Sequence, residues 1–187
     1  MTHYLDIHLL RNPEFPLHQL MAVLYTKLHR ALVQAGASTI GVCFPGYDEA
    51  VPQLGTQLRL VGPHGDLARL MEQHWLNGMC DHVTVHPIAA VPAHAVHRTL
   101  RRVQAKSSPE RLRRRQMKRH GLSEAQARSR IPDTAAEMLR LPFVSLASGS
   151  TGQTFRLYLR LNRAQRDPEQ GCFNAYGLSS SATVPWF

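Results

Sequence analysis

The stretch YLDIHLL at residues 4–10, followed by PLHQLMAVLYTKLHRALVQ at 16–34, decides how the first half of this chain is read. In the first, Leu5, Ile7 and Leu9 alternate with Tyr4, Asp6 and His8, the two-residue period of a half-buried strand. In the second, Leu17, Leu20, Met21, Leu24, Leu28, Ala31 and Leu32 recur at three- and four-residue spacing. That is the apolar stripe of an amphipathic helix, and Gly36 follows as its C′ residue.

Working outward, Ile40 to Phe44 reads as a short strand, Pro45 to Pro52 as a loop and Leu58 to Val61 as the next strand. Asp66 is placed to cap a short helix carrying Leu67, Leu70 and Met71, and His82 to His86 completes the series. The order β-α-β-β-α-β predicts a ferredoxin-like domain over residues 1–90, a sheet with two helices on one face. Pro87 to Pro92 reads as a linker into a second α+β domain at 91–187, so the chain as a whole is α+β.

The net charge of +9 is concentrated in one place. Between Arg98 and His120 stand ten of the 22 basic residues: Arg98, Arg101, Arg102, Lys106, Arg111, Arg113, Arg114, Arg115, Lys118 and Arg119. Glu110 is the one acid there, so the remainder of the chain is charge-balanced. Such a segment is the footprint of a polyanion binder.

Its local grammar is helical. Ser107, Ser108, Pro109 and Glu110 fit a capping box with Ser107 as N-cap, and the run RLRRRQMKRH stops at Gly121. Arg111 with Arg115, Arg114 with Lys118 and Arg115 with Arg119 are like charges one turn apart. Each such pair costs an isolated helix a few tenths of a kcal/mol. An ordinary solvated face would interleave acids, so this helix calls for an external anion. Arginine in place of lysine favours bidentate contacts to phosphate and to guanine edges. The residues alone leave DNA and RNA open.

Ser123 with Gln126 signals a second short helix, and Asp133 starts a third that reaches Leu139. Phe143 to Ser148 and Thr154 to Leu161 then form a hairpin around a Gly-bearing turn, and Cys172 to Leu178 is expected as a further strand. Cys43, Cys80 and Cys172 are widely spaced and form no CxxC pair, so neither a disulfide framework nor a zinc site is indicated. His94 with His97, and the run Cys80, Asp81, His82, lack metal-ligand spacing. No apolar run reaches bilayer length and the N-terminus lacks a signal peptide's regions, so a cytoplasmic protein without membrane association is expected.

The run RVQAKSSPERLRRRQMKR at 102–119 resembles the CRISPR-repeat-processing endoribonucleases of subtype I-F systems, the short, two-domain branch of the Cas repeat endonucleases. So do HYLDI at 3–7, EFP at 14–16, KLH at 27–29, RIPDT at 130–134, LPFV at 141–144, STGQ at 150–153 and the final VPWF; the likeness covers essentially the full chain. It implies an arginine-rich helix lying in the major groove of a repeat RNA hairpin. It implies cleavage at the 3′ base of the stem without metal or cofactor, by attack of a 2′-hydroxyl on the adjacent phosphate. His29 matches the catalytic histidine, Ser148 the catalytic serine and Tyr176 the tyrosine beside them. Arg102 and Gln104 match side chains that read base edges, and Phe155 matches the aromatic stacked on the terminal base pair. Arg111, Arg114, Arg115, Lys118, Arg119 and His120 fall on the groove-binding helix, and Ser150 adds an RNA contact. The family usually has arginine where Lys118 stands. The partners implied are the repeat hairpin, the mature CRISPR RNA and a type I-F surveillance complex.

On the residues alone, histidine suits the proton transfer because its ordinary pKa of about 6.5 lies near working pH. A lone histidine, a turn serine, a packing tyrosine and a core phenylalanine are nevertheless the ordinary readings of His29, Ser148, Tyr176 and Phe155. Their functional roles come from the resemblance. The alternatives are a non-catalytic RNA-hairpin-binding protein and a DNA-binding regulator with its helix in a B-form groove. A metal-dependent nuclease is the weakest of them.

Overall fold

A computed structural model describes residues 1–104, 109–132, 139–147 and 152–187. Contacts divide the chain into two compact units, Met1–Val103 with Leu141–Phe187, and Gln104–Arg140. The fold is α+β, as expected from the sequence.

The first unit opens with β1 (His3–Leu9), α1 (Leu17–Ala35), β2 (Gly41–Cys43), β3 (Gln57–Gly62), α2 (His64–Glu72) and β4 (Val83–Val85). The sheet order is β2-β3-β1-β4. β1 and β2 both run antiparallel to β3, so the crossover through α1 leaves a gap that β3 fills. The arrangement is compatible with a ferredoxin-like sandwich. Leu5, Ile7, Leu9, Val42, Leu58 and Leu60 face the helices, which bury Leu24, Leu28 and Leu32 from α1 and Leu67 and Leu70 from α2 against them. α1 ends as expected at Gly36, whose φ of 58° is left-handed and whose N–H caps Leu32 and Val33. α2 starts earlier than expected, behind Pro63. Asp66 therefore stands inside its first turn, where its carboxylate accepts from Thr39 and Arg69.

The opposite face of this sheet is also covered, although β1 reads as half-buried. Gly41, Cys43, Arg59, Val61, Tyr4 and Asp6 lie beneath Phe173, Ala182 and Val184. A Cβ on Gly41 would stand 2.7 Å from Val184 and 2.8 Å from Phe173, so that closeness needs glycine. Arg59 grips Asp6 with two hydrogen bonds of 2.7 and 2.9 Å, donates a third to the Phe187 main-chain oxygen and lies 3.8 Å from the Phe187 ring centre. The expected linker at Pro87 to Pro92 instead supplies β5 (Ala89–Ala90), which pairs with β1. β6 (Val96–Arg98) pairs with the last strand, β10 (Val184–Trp186).

β7 (Leu100–Val103), β8 (Phe143–Ala147) and β9 (Thr154–Leu161) form a second sheet in the order β7-β9-β8, which bears out the expected hairpin. Its apolar face, Leu100, Val144, Leu146, Leu157, Leu159 and Leu161, joins the same core as α1. Tyr47 completes the edge: its hydroxyl lies 3.1 Å from the Leu159 carbonyl and accepts from Leu161 N at 3.2 Å. The strand expected at Cys172 to Leu178 is a turn (Asn174 to Gly177), because the Asn174 side chain accepts from Tyr176 N and Leu178 N and so competes with a ladder.

The second unit consists of α3 (Pro109–His120) and α4 (Glu124–Arg130). The Ser123–Gln126 capping box is present. Arg113, the one buried residue of α3, donates Nε to Ile131 O at 2.7 Å and closes α3 onto the end of α4. The expected cap at Ser107 and the helix from Asp133 lie outside the described residues.

Candidate active site and basic helix

α1 carries His29 one residue beyond the buried Leu28, at the margin of the apolar stripe, so the imidazole is half-buried. Its Nδ1 lies 2.8 Å from the Ala175 carbonyl. A carbonyl only accepts, so in the neutral ring Nδ1 carries the hydrogen and Nε2 keeps a lone pair. Tyr176 lies flat on the same imidazole, with ring centroids 4.0 Å apart and planes 6° from parallel. Two of the three expected catalytic residues, 147 positions apart in sequence, are thus in contact. Ser148 and Ser150 lie outside the described residues. β8, the strand that runs up to Ala147, packs along α1.

What the sequence reading missed is the machinery that holds this pair. Tyr25, one turn before His29, is buried and donates its hydroxyl to the Tyr176 carbonyl at 2.7 Å. Burial, and secondarily Tyr176, push its phenol far above the ordinary tyrosine range, so it remains a donor. Gly177, with φ 68°, lets Val42 N reach its carbonyl at 3.0 Å. Asn174 with Gly177 was the available signal, a turn pairing inside an otherwise strand-like segment.

Arg102 and Phe155 also come together. Both point to the apolar face of the second sheet, since Arg102 pairs with Leu159 and Phe155 with Leu146. The guanidinium carbon of Arg102 stands 5.7 Å from the Phe155 ring centre, within cation–π range. Phe155 is half-buried, so core packing and an accessible ring edge coexist. Gln104 is exposed.

On α3, Arg111, Arg114, Arg115, Lys118, Arg119 and His120 are all exposed. Positions 111, 114, 115 and 118 share a face by their three- and four-residue spacing. Leu112, Gln116 and Met117 are half-buried, and with Arg113 they supply the packing surface. Arg113 therefore serves the packing of its own unit.

Among the described residues no group of three or more histidine, cysteine or acidic side chains is placed to hold a metal, at His94 and His97 or at Cys80 to His82 included. No described helix is long and apolar enough to cross a membrane.

The fold and site define an α+β protein with a turn-locked histidine at the edge of its core and, on a separate unit, a helix whose exposed face is arginine. The model of the family described as CRISPR-associated protein (Cas_Csy4) matches residues 4–187, and the chain belongs to that family. It is 54% identical to a protein named CRISPR-associated endonuclease Cas6/Csy4 from Pseudomonas aeruginosa (strain UCBPP-PA14), over 187 residues and the whole of both chains. It is 41% identical, again over the whole of both, to a protein of the same name from Escherichia coli (strain UTI89 / UPEC).

Proposed function

We propose that this chain is an endoribonuclease that cuts CRISPR repeat hairpins in precursor CRISPR RNA at the 3′ base of the stem. It works without metal, by attack of a 2′-hydroxyl on the adjacent phosphate. The observation that carries the reading is the fixed imidazole: Nδ1 is engaged by the Ala175 carbonyl, which leaves Nε2 as the base. Nε2 takes the 2′-hydroxyl proton as the 2′-oxygen bonds to phosphorus. The bond from phosphorus to the 5′-oxygen breaks, that oxygen takes a proton from water as it leaves, and the proton on Nε2 returns to solvent. The products are a 2′,3′-cyclic phosphate and a 5′-hydroxyl. Ser148 holds the ribose in line, and Tyr176 orients His29.

The exposed face of α3 binds the hairpin through Arg111, Arg114, Arg115, Lys118, Arg119 and His120, with Ser150 adding a backbone contact. Arg102 and Gln104 read base edges at the foot of the stem, and Phe155 stacks on its last pair. In functional terms residues 1–90 supply the histidine, and 91–187 grip the RNA. The chain keeps the product and enters a type I-F surveillance complex in the cytoplasm. The relatives' shared printed name, an endonuclease, and full-length identity support this reading.

The test is a repeat hairpin incubated with the protein in excess chelator, beside a copy with one 2′-deoxy nucleotide upstream of the cut. Cleavage of the first alone is expected. Binding without cleavage of either would make the chain an RNA-hairpin-binding protein instead, and cleavage of both would remove the 2′-hydroxyl mechanism.

A further inference from the structure

Tyr25 and His29 stand one helical turn apart on α1, and they hold two successive carbonyls of one turn. Tyr25 donates to Tyr176 O at 2.7 Å, and His29 Nδ1 to Ala175 O at 2.8 Å. The rings follow the same order. Tyr176 lies 4.0 Å from His29 at 6° and 6.4 Å from Tyr25 at 13°, so the three planes are nearly parallel. Tyr25 cannot move to accommodate a shift, because its ring is 1% exposed and leans on Phe44 at 5.8 Å. The turn has a second restraint on its outer side, where Asn174 Oδ1 accepts from Tyr176 N at 2.9 Å. The buried phenol is the one side chain from α1, other than His29 itself, that hydrogen-bonds the turn among the described residues.

We propose that Tyr25 is a positioning residue for His29: by holding the Tyr176 carbonyl it keeps the Ala175 carbonyl on Nδ1 and the Tyr176 ring on the imidazole, so that Nε2 is the unprotonated nitrogen. The proposal rests on the reading of His29 as general base. A histidine whose Nδ1 partner drifts exchanges tautomers, and the fraction with Nε2 protonated is inactive as a base. The enzyme then slows although its grip on RNA is unchanged.

Tyr25→Phe removes the hydroxyl and keeps the ring. Single-turnover cleavage of a repeat hairpin is expected to slow about tenfold, a part of the hundredfold or more that a general base contributes. The hairpin Kd should stay within about twofold, because no RNA-gripping side chain is touched. The 15N resonances of His29 should move from a protonated Nδ1 and bare Nε2 towards an averaged mixture. Wild-type rate, or wild-type His29 resonances, would overturn the proposal, and so would a fall in rate matched by an equal loss of affinity. If Tyr25→Phe does not fold, Asn174→Ala loosens the same turn from its exposed side while the Tyr25 bond stays; wild-type His29 resonances are then expected, and an averaged mixture there would overturn the proposal. His29→Ala separates the two readings. If it cleaves at the wild-type rate, the general-base assignment fails, whereas the resonances of Tyr25→Phe still report whether the phenol sets the tautomer.

Discussion

The imidazole of His29 and the phenol of Tyr176 lie face to face, 4.0 Å between ring centroids and 6° from parallel. Their contact is through ring surfaces, and the Tyr176 hydroxyl has no hydrogen bond among the described residues. Tyr176→Phe should therefore retain at least about half the cleavage rate, whereas Tyr176→Ala should lose roughly tenfold to a hundredfold at unchanged hairpin affinity. Single-turnover kinetics with saturating protein checks both, and equal loss in the two variants would show that the hydroxyl matters.

Two neighbouring arginines of α3 should behave differently. Arg115 is exposed, and Arg115→Ala should weaken hairpin binding and reduce the slope of log K against log salt by about one. Arg113 is buried and donates to Ile131 O. Arg113→Ala should instead lower the stability of the α3–α4 unit by about 1–3 kcal/mol, since a partly buried carbonyl loses its donor and the buried guanidinium leaves a gap. Salt titration of binding and thermal melts, run on both variants, tell the roles apart.

The Asp6–Arg59 pair is enclosed, with side-chain exposures of 8% for the arginine and 12% for the aspartate. Removing one partner leaves the other charge buried, so Asp6→Asn should cost about 3–5 kcal/mol in urea unfolding. A loss below about 1 kcal/mol would mean that the Phe187 oxygen and the rings of Phe187 and Tyr4 hold Arg59 on their own.

Cys43 beside that pair is pushed up to about 12, chiefly by burial, with Arg59 opposing and Asp6 adding to the shift. The unfolded thiol ionises near 9.0, so stability from keeping it neutral is complete below that pH and drains away as pH rises towards 12. The loss amounts to a few kcal/mol at most. Cys43→Val should flatten the alkaline fall in stability relative to the parent. In the native protein a thiol reagent should titrate the exposed Cys80 and Cys172 while Cys43 stays silent until unfolding.

Gly177 tolerates no side chain. Its φ is 68°, and a Cβ there would stand 2.6 Å from Val42 Cγ1. Gly177→Ala should lower stability by about 1–3 kcal/mol and slow cleavage together, read from melts and from hairpin cutting.

Elements that announce themselves by their own periodicity were legible in the sequence: β1, α1, β3 and the β8–β9 hairpin stand within a residue or two of their expected bounds. β5 and β10 were not. Ala89–Ala90 is too short to show a period, and β10 holds Pro185, which discourages a strand reading until its partner β6 is known. The turn at 174–177 was concealed because Phe173, Tyr176 and Leu178 look like strand residues, while one asparagine side chain decides the backbone. Arg113 stands in the basic run by charge but not in the groove-facing set, and only its burial against Ile131 shows that it holds α3 to α4. His29 stood out only through the family resemblance; its special environment comes from a segment 146 residues away.

That separation fixes an order of events. A growing chain completes α1 early and α3 midway, but the Ala175 carbonyl and the Tyr176 ring emerge only near the close of synthesis. Until then His29 has neither its tautomer lock nor its stacking partner. A nascent or truncated chain ending before residue 174 carries the whole basic helix with the histidine still unset, so on the proposed reading the part that grips RNA is complete before the part that cuts it.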